Sequence, residues 1–141
     1  MSLIREQDAV EIRKRLENMP SPVRLIHITQ ELNVEYGRET RELLQDLTAL
    51  SDKLTLEVYD FLLDKEKVAE YAADKFPATI VRNGKDYGIR FYGIPAGYEF
   101  SALLDAILDV SRGTSELSEA SKEKLRALSV PVHLEVLVTP T

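Results

Sequence analysis

The sequence predicts an α/β fold in which a four-stranded mixed sheet is flanked by helices, with an extra N-terminal helix and a C-terminal helix–strand extension. Three observations carry this expectation. Short β-branched apolar runs alternate with stretches whose apolar residues recur at helical spacing. The strand–helix–strand order over residues 23–61 implies a parallel pair joined by a right-handed crossover. Asn83-Gly84 in the middle of the run 77–93 is the mark of a hairpin.

The elements follow in order. Ala9, Ile12, Leu16 and Met19 share one face of a helix over about 6–18, which the two prolines of "MPSP" end. "VRLIHIT" (23–29) reads as a strand covered on both faces. Thr40, Leu43, Leu44, Leu47 and Leu50 form the apolar stripe of a second helix within 38–52, opposite Arg and Glu. "KLTLEVYDF" (53–61) alternates and is a second strand. "DKEKVAEYAADKF" (64–76) is a shorter helix, with Val68, Tyr71 and Ala72 expected to face inward. The hairpin 77–93 follows. Phe100, Leu103, Leu104, Ile107 and Leu108 then line a helix that Gly113 stops. Residues 114–129 read as another helix capped by Thr114 or Ser115, and "VPVHLEVLVTPT" as a final strand.

Composition removes several function classes. With 141 residues the chain holds one domain of common size and a real core. Lys and Arg number 18 against 24 Asp and Glu, a net charge of −6. An acidic chain without a basic cluster repels phosphate backbones, so no nucleic-acid partner is expected. No apolar run reaches the roughly 18–20 residues that cross a bilayer, so no membrane partner is expected either. The mixed-charge, helix-patterned first residues lack the layout of a secretory signal, and a cytoplasmic location is the expectation. There is no Cys, which excludes disulfides, thiolate nucleophiles and thiolate metal sites together. His27 and His133 are the two histidines, so a zinc site would lean on carboxylates; neither a metal nor a cofactor is expected.

The loop "NVEYGRET" (33–40) leaves the first strand and opens a helix, the place where α/β folds concentrate their chemistry, yet it holds no Cys, His or Ser. Glu31, Glu35, Glu39, Glu42 and Asp46 cluster around it. Carboxylates at helical spacing suit a metal or acid–base pair, but Arg38 and Arg41 among them point to a solvated, ion-paired face. A lone histidine in a buried strand, His27, is ordinarily core packing with one satisfied nitrogen. Tyr36 and Tyr98 are candidates for a binding surface, against the plainer reading of partial burial on neighbouring helices.

The order β-α-β-α-β-β-α over 22–112 is that of the thioredoxin fold. "FPATIV", "G-x-P-x-G-x-E-F" (93–100) and "VLVTPT" (136–141) make the resemblance more specific. The chain resembles the N-terminal half of the glutaredoxin-like protein disulfide oxidoreductases of thermophiles, which are tandem thioredoxin folds. It is also similar to the N-terminal domain of the flavoprotein subunit of alkyl hydroperoxide reductase, whose first fold lacks cysteines and whose second carries the redox pair. In these proteins the loop after the first strand can carry Cys-x-x-Cys. On this sequence those positions fall on Val34 and Gly37, so the resemblance implies a degenerate motif and no catalytic residue. It also implies a cis bond before Pro77 and a peptide-binding surface of Pro77, Phe76 and Tyr36. By the same resemblance residues 1–112 form the thioredoxin-like domain. Residues 113–141 would then be a connecting helix and the first strand of a second fold, truncated or missing.

Two functions stay open on the sequence. One is the redox-inactive half of a thiol–disulfide oxidoreductase, serving as scaffold, docking or substrate surface. The other is a self-standing thioredoxin-like module that binds proteins without catalysis. A protein or peptide partner is expected in both. The apolar strand 132–138 invites pairing with a second copy, giving a homodimer.

Overall fold

The computed structural model describes residues 2–30 and 35–137. Nine elements follow one another: α1 (Glu6–Glu17), β1 (Val23–Thr29), α2 (Gly37–Thr48), β2 (Leu54–Asp60), α3 (Lys65–Glu70), β3 (Ala78–Arg82), β4 (Asp86–Tyr92), α4 (Tyr98–Arg112) and α5 (Glu119–Arg126). The sheet order is β2-β1-β3-β4, with β1 and β2 parallel and the remaining neighbours antiparallel. This is the thioredoxin-like mixed sheet that the sequence predicts.

Side-chain alternation along the central strand β1 splits the core in two. Val23 and Leu25 face α1, α2 and α4, where Ile12, Leu16, Leu43, Leu44, Leu47, Leu103 and Ile107 bury the larger cluster. Ile26 and Ile28 face α3 and pack with Tyr71, Ala73 and Ile80. Two serines lock the start of β1 to the end of α4. Ser21 Oγ donates to the Ser111 carbonyl (2.5 Å), and Ser111 Oγ donates back to the Ser21 carbonyl (2.6 Å).

Several boundaries differ from the sequence reading. The third helix is cut to Lys65–Glu70 because Ala72 turns into the left-handed region at φ 49°. Ala72 is therefore exposed and Ala73 takes the inward place beside Tyr71. Asn83 makes the hairpin turn through its side chain, whose Oδ1 accepts from Lys85 N–H at 2.8 Å, while Gly84 does not adopt positive φ. The last helix begins at Glu119, because Ser118, not Thr114 or Ser115, caps it by accepting from Ser121 N–H at 3.1 Å. Gly113 does stop α4, at φ 70°.

The terminal strand is a correction. Residues 131–137 are exposed and carry no strand, since neither edge of the sheet receives them among the described residues. A strand without a ladder partner leaves its backbone groups to water and gains nothing from being a strand. Residues 138–141 lie outside the described residues.

Candidate functional site

The chain direction of the strands gathers one end of the sheet. β1, β2 and β4 leave it at Thr29, Asp60 and Tyr92, and β3 enters it at Ala78, as the pairs Thr29↔Asp60, Ile28↔Ala78 and Ala78↔Tyr92 show. The N-terminus of α2, the turn after β2 and the Phe76–Pro77 bond therefore meet there.

Of the candidate loop positions, Val34 lies outside the described residues. Gly37 is the first residue of α2 and is buried. The left-handed backbone falls one residue earlier, on Tyr36 at φ 61°. A bulky residue there costs about 1–2 kcal/mol, a strain of the kind that clusters at binding sites. Tyr36 is 51% exposed, in keeping with partial burial, and Tyr98 is 87% exposed. Thr40 closes the turn by donating from Oγ1 to the Tyr36 carbonyl at 2.6 Å.

Across from this turn the Phe76–Pro77 peptide is cis and Pro77 is buried. The Pro77 carbonyl accepts from Gly93 N–H at 2.8 Å, which fixes the segment to the end of β4. Phe76 is half-buried and its ring lies 4.3 Å from that of Phe61, in the turn after β2. Asp60 holds that turn by accepting from the N–H groups of Leu62 and Leu63 (2.8 and 2.9 Å). Leu62 and Leu63 are left 51% and 83% exposed beside the aromatic pair. An open cavity of about 350 Å³ lies at the same end, lined by Thr29, Arg41, Val58, Tyr59, Asp60, Leu63 and Asp64.

Beneath the site sits a buried polar group that sequence reasoning saw only in part. His27 is fully buried, and its Nδ1 lies 3.2 Å from the Ala78 carbonyl, which makes Nδ1 the protonated nitrogen. This is the core histidine with one satisfied nitrogen that its strand position suggests. Burial pushes its pKa down to about 4, against the opposing effect of the Ala78 and Gly37 backbone and with help from the Arg41 charge. Among the described residues its Nε2 and the hydroxyls of Thr29 and Thr79 have no hydrogen-bond partner. Thr79 is the cross-strand partner of His27 and Thr29 stands two residues along, so all three side chains share one face. Two threonines inside apolar strands give no sequence signal beyond β propensity.

The acidic face of α2 divides. Glu42 pairs loosely with Arg38 at 3.8 Å in solvent, as expected. Asp46 instead ties down the N-terminus, accepting from Leu3 N–H at 2.7 Å and Ser2 Oγ at 3.0 Å. Among the described residues no three His, Asp or Glu side chains gather closely enough to hold a metal ion.

No family model matches the chain. It is 30% identical to the AhpF subunit of alkyl hydroperoxide reductase from Pseudomonas aeruginosa over 125 residues, 89% of this chain and 22% of that protein. Over 106 residues it is 30% identical to the Staphylococcus epidermidis protein of the same name, 74% of this chain and 18% of that one. The chain thus spans about a fifth of the length of these relatives. Among solved structures, a protein disulfide oxidoreductase from Aeropyrum pernix matches 91% of this chain and 56% of its own, with a TM-score of 0.79 and 28% identity. The Enterococcus faecalis AhpF has the same fold, with a TM-score of 0.79 and 24% identity over 88% of this chain and 60% of its own. Fold and sequence together identify the chain as a thioredoxin-like unit related to those of the alkyl hydroperoxide reductase AhpF and of protein disulfide oxidoreductase, and free of cysteine.

Proposed function

We propose that this chain is a redox-inactive thioredoxin-like half of a thiol–disulfide oxidoreductase system, and that it docks an extended peptide segment at the end of its sheet. One observation carries the reading. Phe76, next to Pro77, stacks on Phe61, the adjoining Leu62 and Leu63 are exposed, and exposed Tyr36 opens α2 at the same end of the sheet, in a chain with no thiol. The backbone N–H and C=O of Phe76 take no partner in the backbone network among the described residues. They are open to pair with an extended chain, while the aromatic and apolar residues at this end of the sheet accept its side chains. Thiol–disulfide exchange requires an attacking thiolate, so in this reading the chemistry belongs to a partner and recognition to this unit.

Carboxymethylated insulin B chain is an extended probe without a thiol. By fluorescence anisotropy, the labelled probe is expected to bind saturably. Phe76→Ala and Tyr36→Ser should each weaken it by about fivefold to thirtyfold, the loss of 1–2 kcal/mol typical of an aromatic anchor. Unchanged binding in both variants contradicts the docking site. Reduction of insulin disulfides by the pure chain contradicts the redox-inactive reading.

A further inference from the structure

The two edges of the sheet are not alike. β4 is guarded: its pairing with β3 is irregular between Ile80 and Arg82, Gly88 turns to φ 86°, and Asp86 and Arg90 hold a double ion pair along it. β2 has no such guard. It pairs with β1 in unbroken register over seven residues, Val23↔Leu54 to Thr29↔Asp60, and "LTLEVYD" contains no Lys, Pro or Gly. Its outer side is free among the described residues.

The direction of its backbone groups can be assigned. The Lys53 carbonyl accepts from Val23 N–H, and Phe61 N–H donates to the Thr29 carbonyl, so odd-numbered positions face β1. Even-numbered positions face outward. Leu54 N–H turns back to the Ser51 carbonyl and Asp60 N–H to Asp64 Oδ2, which leaves both groups of Leu56 and Val58 and the Leu54 carbonyl unpaired among the described residues. The side chains of Leu54, Leu56 and Val58 continue into a groove of about 390 Å³ completed by Gln45 and Thr48 of α2 and by Ala49 just after it. On the opposite face stand exposed Thr55, then Glu57 and Tyr59, which bond each other at 2.7 Å, with Arg24 on Glu57 at 2.9 Å.

We propose that β2 is the contact of a symmetric dimer, pairing antiparallel with β2 of a second copy of this chain with Leu56 on the twofold axis. Only even positions can exchange backbone hydrogen bonds, which leaves three registers of useful overlap. Placing Glu57 on the axis sets two carboxylates directly opposite and is repelled. Placing Thr55 on the axis shortens the overlap. With Leu56 on the axis, Leu54 faces Val58 of the second copy twice and Leu56 faces Leu56, an apolar row across the groove. On the other face Thr55 meets Glu57, and Lys53 meets Tyr59. Asp60, the last residue of β2, comes opposite the exposed Asp52 just before the strand, a like-charge pair at each end of the ladder that opposes the contact without touching its apolar row. The same patch serves both copies, as a closed twofold contact requires.

The register makes the test sharp, because the chain has no other cysteine to interfere. Leu56→Cys places two sulfurs across a hydrogen-bonded antiparallel pair, with Cα atoms about 5.5 Å apart, inside disulfide range. Val58→Cys sets them more than about 13 Å apart. Mild oxidation should give a covalent dimer from the first variant and not from the second. By sedimentation velocity, Thr55→Lys should tighten self-association and Thr55→Glu weaken it, each by about tenfold, since every substitution acts at two symmetric contacts with Glu57. Thr55 is exposed, so both variants are expected to fold. A monomer at all concentrations, equal cross-linking of both cysteine variants, or a dimer lost only on removing residues 131–141 overturns the proposal.

Discussion

At the residue scale the feature with the largest physical consequence is His27. Its side chain has an ordinary pKa of 6.5 and is held at about 4 by burial in β1. The folded protein keeps the ring neutral, whereas the unfolded chain protonates it as pH drops below 6.5. Stability from this group is thus fully present above pH 6.5 and is lost as pH falls from 6.5 toward 4, by about 3 kcal/mol in total. Chemical denaturation across that window should show the slope, and His27→Leu should flatten it whatever it does to stability at neutral pH. Asp86, held by its bond to Arg90 at about 2 against an ordinary 3.8, loses its own contribution only below about pH 5, so the slope between about pH 5 and 6.5 reads His27 without it. Thr79 gives a second test. Its hydroxyl is buried without a partner among the described residues, so Thr79→Val removes a desolvated polar group at almost constant shape. The variant is expected to be more stable by about 1 kcal/mol. A loss of that size would mean that the hydroxyl is bonded in solution.

At the element scale the sequence speaks clearly where burial alternates. α1, α2 and α4 each bury the centre of the expected stripe (Ala9, Ile12 and Leu16; Leu43, Leu44 and Leu47; Leu103, Leu104 and Ile107), while Leu50, Phe100 and Leu108 at its margins are only partly buried and α4 also buries Val110 and Ser111. α3 is shorter than its pattern suggests because Val68, Tyr71 and Ala72 fit a helical period, while the chain turns out at Ala72 and sends Ala73 inward instead. The strand expected at 132–138 fails for a different reason. Alternation states what a segment would bury, not whether a sheet edge takes it. Val132, Leu134 and Val136 alternate as a strand would and are exposed by 58%, 85% and 82%. α5 has no buried residue. Removing the chain beyond Ser115 is therefore expected to change stability by less than about 0.5 kcal/mol, read from urea midpoints at unchanged slope. A large drop would show that α5 or the tail packs on the sheet.

At the scale of the whole molecule the order of elements is legible in the sequence, and the chemistry is legible mainly by omission. Strand direction brings Tyr36, Phe61, Phe76 and Pro77 to one end, and that convergence is invisible along the chain because it depends on the pairing of β1 with β2 and β3. The absence of Cys is plain from the residues alone, whereas the exposed Leu62–Leu63 turn and the open edge of β2 emerge only in three dimensions. The two proposed surfaces are separate, an end of the sheet for an extended peptide and an edge for a second copy. The end of the sheet bears the central claim, and a ¹H–¹⁵N NMR titration with carboxymethylated insulin B chain tests it most directly. Saturable shifts concentrated at Tyr36, Leu62, Leu63, Phe76 and Thr79, weakened in Phe76→Ala, are the expected result. No saturable shifts, or shifts confined to other surfaces, would contradict a docking role for this thiol-free thioredoxin fold.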